Sequence, residues 1–584
     1  MNMLHSEPDS LLALDIGEVH TRAVLFEVVE GRYRFLAVGT APTTAAAPYH
    51  HIGEGIRLAL DDLQEVTGRR LVGNDQRLIM PGQGDGSGVD QFVATMSAGP
   101  PLKIAAIGLL EDVSLASACR LANTTYAQVS ERLSLNDHRQ PEERLDALLK
   151  LRPDVIVLAG GTEGGASDSV VRLVDSVALA CSLLPREARP EVLFAGNQAL
   201  AEQVRTVVKR QANLTIVPNV RPALEQEQID PAHPAMAEAF RVVRSRQIPG
   251  VKELDAWTGR RLLPSATAFG RVVRFLSRVY DPAKGVLGID VGASATSVAA
   301  AFDGRLTLGV YPGLGLGTGL PELLETTSLE SITRWLPQEA GSDYVRDYIY
   351  NKTLHPASLP VTAEDLAIEQ ALARQAIRSA LSRVSAGFPK DAAYLRSGLL
   401  PGMEPVLASG SVLANAPTLG QSLLLLLDAV QPVGVTTLVL DQHSLMAPLG
   451  AAALVNPALV VQVLESSTFL NLATIISPVA AARPGTPILR LRLAYESGEE
   501  MSLDIKQGTL EALPVPPGQP ARLRLQPLHR ADVGMGGPGR GGSVRVIGGA
   551  LGVVIDARGR PLRLPEDAGR RRELFKKWLW TLGG

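Results

Sequence analysis

Two short phrases hold the residues whose types and spacing suit chemistry: Leu14-Asp15-Ile16-Gly17 and Ile289-Asp290-Val291-Gly292. Each is an apolar run ending in Asp-x-Gly, followed by small or polar residues and a second apolar stretch, Ala23-Val24-Leu25-Phe26 and Val298-Ala299-Ala300-Ala301-Phe302. The pattern predicts a β-hairpin with an acid at the end of its first strand. The glycine lets the turn approach a ligand and present N–H groups, and the Asp can hold a hydrated cation, so the pair suits a phosphate–metal complex. One Asp-x-Gly after a strand is usually an ordinary turn, because both residues favour turns everywhere. Recurrence with matching flanks points instead to two duplicated lobes that share one nucleotide.

The elements that must position these acids read as an α/β protein. At 584 residues the chain exceeds one core and should divide into several domains. Hydrophobic residues make up 46% but aromatics only 4%, so the core must be built from Leu, Val, Ala and Ile, as around buried parallel strands. The first lobe is expected over 1–285, with an α/β insertion at about 100–245. Strands are predicted there at 103–109, 154–158, 191–195 and 214–217, with helices beginning near Ser114, Ser167 and Gln198; this alternation implies a parallel sheet. The glycine-rich turn Ala159 to Gly165 stands where open parallel sheets bind ligands, and Asn197 and Asn219 lie at neighbouring strand ends; a tight structural loop explains the same residues. The second lobe is expected over 286–464, with a helix at 363–386. From 465 to 584, Arg490-Leu491-Arg492-Leu493, Arg522-Leu523-Arg524-Leu525 and Val544-Arg545-Val546 alternate strictly, predicting a β-rich domain with one wet face. The glycine run around Arg540 lacks a phosphate-loop ending and reads as a hairpin tip. Arg570 to Trp580 reads as an amphipathic helix.

Composition also excludes some classes. The net charge of −3 gives no general attraction to nucleic acid or anionic lipid. No apolar run reaches the ~20 residues that span a bilayer, since Leu423 to Leu427 ends at Asp428. The N-terminus, with Glu7 and Asp9, lacks the order of a signal peptide. Cys119 and Cys181 match no metal or redox spacing, and a cytoplasmic chain is expected. Most of the nine histidines, His20 and His443 among them, read as surface or turn residues, and none offers a convincing acceptor-site base.

The paired hairpins resemble the actin, sugar-kinase and Hsp70 ATPase superfamily, with Asp15 to Arg22 in the place of its first phosphate loop and Asp290 to Ser297 in the place of its second. Ala41-Pro42-Thr43-Thr44, Ile104 to Leu109, Pro153 to Gly165 and Phe194-Ala195-Gly196-Asn197 resemble, in that order, the accessory protein of coenzyme B12-dependent glutamate mutase. That family is called MutL or GlmL and is unrelated to the DNA-repair protein sharing the first name; the resemblance covers roughly residues 10–460. It implies two duplicated actin/Hsp70-type ATPase lobes that bind ATP with Mg²⁺, and a chaperone or activator role toward an adenosylcobalamin-dependent mutase. Carried over residue by residue, it implies nucleotide binding by Asp15, Gly17 and Arg22 and by Asp290, Gly292, Ala293 and Ser294, with Asp15 and Asp290 reaching the metal through water. Ser409, Gly410 and Ser411 match the turn beneath the adenosine, although small residues also simply permit a tight strand-to-helix turn.

Four positions depart from the superfamily pattern. Glu18 stands where Ser or Thr meets phosphate, and Ser297 where relatives carry an acid. Gly313 and Gly317 occupy places where an acid and a basic residue are expected. Phosphoryl transfer depends on placed metals and charges, so slow or lost hydrolysis follows. Three roles remain open: an ATPase-like activator, a scaffold that has lost turnover, and, less favoured, a small-molecule kinase.

Overall fold

A computed structural model describes residues 8–389 and 398–583; the stretch around Glu7 lies outside them. The chain divides into two compact units, one comprising the residues up to Phe269 with Thr307–Pro312 and Ala447–Leu459, the other Gly270–Leu306, Gly313–Met446 and the residues from Val460 on.

In the first unit β1 (Ser10–Ile16) is buried along its whole length. It pairs antiparallel with β2 (His20–Val29), and β2 with β3 (Arg32–Pro42). On its other side β1 runs parallel to β4 (Gln91–Met96). A strand covered on both faces has no place for alternating polar residues, and so β1 reads as a nearly unbroken apolar run interrupted only by Asp15.

The insertion follows. β5 (Leu102–Gly108), β6 (Ala127–Ser134), β7 (Val155–Ala159), β8 (Glu191–Phe194) and β9 (Asn213–Ile216) form a parallel sheet in the order β6-β5-β7-β8-β9. The helix Asp168–Leu183 buries Val170, Leu173, Val177 and Cys181 in the core on one face of this sheet. β6 has no counterpart among the predicted strands. It is an edge strand whose Gln128, Glu131 and Arg132 alternate between wet and half-buried positions, so it lacks the apolar run that marks its neighbours. β10 (Leu263–Pro264) then completes the first sheet, in the order β10-β4-β1-β2-β3.

The second unit opens with β11 (Gly285–Val291) and β12 (Thr296–Phe302); the residues of β13 (Arg305–Tyr311) divide between the two units. The helix Ala363–Val384 begins at a capping box of Thr362 and Asp365, each side chain holding the other's backbone N–H. β14 (Met403–Ser409), β15 (Gly434–Leu440) and β16 (Leu470–Ser477) follow, then β17 (Pro487–Tyr495), β18 (Glu500–Lys506), β19 (Leu510–Leu513), β20 (Pro520–Pro527), β21 (Gly542–Ile547) and β22 (Val553–Asp556). β12, β11, β14, β15, β16, β22 and β19 lie side by side in that order, while β18-β17-β20-β21 form a separate antiparallel sheet with one wet face.

The expected boundary at 464–465 falls within this second unit. A buried ionic chain explains why. Asp428, on the helix Leu419–Val430, meets Arg374 at 2.9 Å and Arg558 at 2.7 Å, and Asp556 at the end of β22 meets Arg558 at 2.9 Å and Arg560 at 2.7 Å. Burial alone would raise the Asp556 carboxyl, but Arg558 and Arg560 outweigh it and hold the group well below the usual carboxylate range. Such a chain is costly to break, because loss of one partner strands a desolvated charge. The helix Ala568–Thr581 docks on the same region through Phe575 and Trp578, with Phe575 edge-on to Trp335.

Thus the molecule is α/β, with two duplicated lobe sheets, an inserted parallel α/β sheet in the first unit and a β-rich segment in the second.

Candidate functional site

The two hairpins repeat each other in register. Asp15 lies opposite Arg22 on the antiparallel neighbour and Thr95 on the parallel one. Asp290 lies opposite Ser297 and Ser409 in the same way. Each turn is closed by one bond from its glycine, Gly17 N–H to His20 carbonyl at 2.9 Å and Gly292 N–H to Ala295 carbonyl at 3.0 Å. The glycine amides that the sequence pattern offered to a ligand are therefore spent on the turn. The amides between them are not: among the described residues no acceptor takes the N–H of Glu18 or Val19, nor of Ala293 or Ser294. Two successive unbonded amides in a tight turn form a concavity that favours an anion.

The acid of the first hairpin is strongly tethered. Asp15 is 7% exposed, and its Oδ1 accepts from Thr95 Oγ1 at 2.6 Å and from Ser265 Oγ at 2.8 Å. Neither hydroxyl carries a local signal in the sequence, since each comes from another element. Glu18 accepts from the Gly99 N–H at 3.1 Å. The negative field of Glu18 and Asp154 also supports the buried Arg244 guanidinium, which burial pushes down to about 10. Glu18 therefore has a structural partner of its own. His20 is held below its ordinary pKa, first by burial and then by the charge of Arg22.

In the second unit three segments converge. The turn after Asp290 is half-buried at Gly292, Ala293 and Ser294. The glycine-rich stretch packs directly on it: a Cβ at Gly315 would lie 2.5 Å from the Ala293 carbonyl oxygen, and one at Gly317 2.9 Å from the same atom. From the other side, Gly410 has φ +118, and a Cβ there would stand 2.3 Å from the Val291 carbonyl oxygen. Glycine at 410 is required by both geometry and space, since the chain passes from Ser409, opposite Asp290, directly against Val291. At Gly313, where an acid was expected, the Glu322 carboxyl lies over the vacant side-chain position, 2.1 Å from an ideal Cβ. A carboxylate thus reaches that place from the helix Leu320–Thr326. Ser297 is 1% exposed, and its hydroxyl has no hydrogen-bond partner among the described residues.

Outside the hairpins the insertion's glycine turn is drawn together by side chains. Asn219 Nδ2 donates to the Gly161 carbonyl at 2.9 Å and to Glu163 at 2.8 Å, and Asn197 accepts from Ala199 N–H at 3.0 Å. Both amides are thereby engaged in shaping the loops. Burial pushes the Cys181 thiol up to about 11, in keeping with a small core residue. Among the described residues, no group of three or more His, Cys, Asp or Glu could hold a metal ion.

A family model described as "MutL protein" matches residues 11–468. The chain belongs to that family. It is the glutamate mutase accessory family that the ordered motifs resemble, not the DNA-repair protein of the same name. The chain is 23% identical over 447 residues to "Protein MutL" of Clostridium tetanomorphum, an alignment covering 71% of this chain and 88% of that protein. Among solved structures, the nucleotide-free structure of acetone carboxylase aligns over 86% of this chain and 82% of that one at 12% identity and TM-score 0.33. Glycerol dehydratase reactivase aligns over 71% of this chain and 94% of that one at 12% identity and TM-score 0.25. At these scores the likeness adds nothing to the topology described above. Among the described residues, no helix is long and apolar enough to cross a membrane.

Proposed function

We propose that this MutL-family chain is a nucleotide-binding accessory protein, an ATPase-like chaperone or activator whose partner is an adenosylcobalamin-dependent mutase such as glutamate mutase. The reading is carried by one observation, the same-register duplication of strand, Asp-x-Gly turn and strand, each turn presenting two unbonded amides. Asp15, Gly17 and Arg22 would serve one phosphate turn; Asp290, Gly292, Ala293 and Ser294 the other; Ser409, Gly410 and Ser411 the nucleoside. When bound, Mg²⁺ would supply charge neutralisation of the phosphates, with Asp290 and Asp15 acting through its water. The chain is at most a slow ATPase, because Ser297 is a neutral hydroxyl and Glu18 is engaged with Gly99. The same two residues support the second reading, a scaffold that keeps the lobes without turnover.

Calorimetry with Mg–ATP, paired with a phosphate-release assay, separates these readings. Binding with slow release is expected, and Asp290→Asn should weaken the Mg²⁺-dependent part by about tenfold or more, ~1.4 kcal/mol. Absence of binding would leave the scaffold, and vigorous release would make the chain an enzyme. Co-elution with a purified cobalamin-dependent mutase, with and without ATP, tests the partner.

A further inference from the structure

The outer face of the β18-β17-β20-β21 sheet is charged unevenly. Its inner face packs Leu489, Leu491, Leu493, Leu523, Leu525 and Val546 into a core, so the alternate residues all point outward. On the β17 side the charges cancel locally: Arg490 meets Asp504 at 2.7 Å, and Arg492 pairs with Glu500. On the β20 and β21 side they do not. Arg522, Arg524 and Arg545 are exposed, and none of the three side chains has an ion pair or hydrogen bond among the described residues. Register makes this worse, because Arg522 stands directly opposite Arg545, and Arg524 directly opposite Arg492. Like charges in such positions are destabilising unless an anion lies between them.

We infer that the outer face of β20 and β21 docks an acidic, extended segment of a partner protein. Arg522 and Arg524 are two residues apart on one strand, about 7 Å, the interval at which carboxylates at alternate positions of an extended peptide repeat. β21 is the last strand of its sheet, so such a segment can lie alongside it with its side chains meeting Arg545. Ile547, 50% exposed in line with Arg545, offers an apolar contact. A nucleic acid fits this face less well. The exposed residues of the four strands include no aromatic on which a base could stack. The surface lies outside the hairpins, so it stands or falls independently of nucleotide binding.

The test uses the full chain and a fluorescein-labelled deca-glutamate peptide followed by polarisation at low salt, with deca-glutamine and a ten-nucleotide oligothymidylate as comparison probes. The glutamate peptide should bind, the glutamine peptide should not, and Arg522→Glu/Arg524→Glu/Arg545→Glu should weaken binding by about tenfold or more. The milder triple change to Gln should weaken it less and guards against a folding defect. Glu500→Gln/Asp504→Asn, which frees Arg490 and Arg492, should tighten it. No binding of the glutamate peptide, equal binding by both triple variants and the native chain, or tighter binding of the oligonucleotide would each overturn the inference.

Discussion

The two hairpins share a backbone and differ in what surrounds their acids. In the first, Asp15 is enclosed by the hydroxyls of Thr95 and Ser265, with a guanidinium, Arg22, opposite. In the second, Asp290 is half-buried between two serines, one of which has no hydrogen-bond partner among the described residues. Register and turn closure are set by the backbone and survive such divergence. The charge environment is set by single side chains from separate strands, and it does not. A duplicated fold can thus keep two matching turns while the side chains around their acids diverge.

Substitutions can break or sharpen this contrast. The largest effect is expected at Gly410→Ala, where a positive φ and a 2.3 Å approach to Val291 leave no room; we expect about 3 kcal/mol or more of destabilisation by denaturant unfolding. No analogous glycine supports Asp15, since Met96 follows Thr95 at the end of β4. Next, Thr95→Val should cost about 2 kcal/mol by leaving a buried carboxylate one donor short, whereas Ser297→Ala should be nearly neutral in the same assay because its hydroxyl forms no bond. Equal losses at both would erase the distinction drawn here. In the turns, Gly17→Ala brings a Cβ to 2.9 Å from the His20 carbonyl oxygen, and Gly292→Ala only to 3.4 Å from that of Ala295. The first should cost about 1 kcal/mol more than the second.

The smallest effect concerns pH. His20 occupies the position that Ala295 fills in the second turn, and its folded pKa lies below the ordinary 6.5. The unfolded chain therefore takes up the proton first, so stability should fall as pH drops below about 6.5 and recover above it. His20→Ala should flatten that slope in thermal melts followed between pH 7 and pH 5.

Much of the frame was legible in the residues, because Asp15 and Asp290 interrupt apolar runs in the same way and Gly follows each at the same distance. The tethering of Asp15 was not. Thr95 and Ser265 are ordinary residues until the topology places β4 beside β1 and the start of the helix Ser265–Val279 beside both. Glu18 illustrates the converse. Its position in the motif faces phosphate by analogy, yet a longer side chain reaches the Gly99 amide instead. Glu322 came to light only because the absent side chain of Gly313 leaves space that a carboxyl from the next helix fills. The alternating arginines predicted a wet face correctly, but which of them are neutralised depends on register, and that is not a property of any single strand.

The position of β22 has a consequence for how the chain is made. It is the last strand in sequence, yet it sits between β16 and β19 and carries Asp556, with Arg558 and Arg560 just beyond it. During vectorial synthesis the strands on either side leave the ribosome before it does, and until residues 553–560 emerge, Asp428 and Arg374 must wait without their third partner. Over that interval β16 and β19 would each have an unsatisfied edge, so the second unit should be most prone to misassociation until residues 553–560 have emerged.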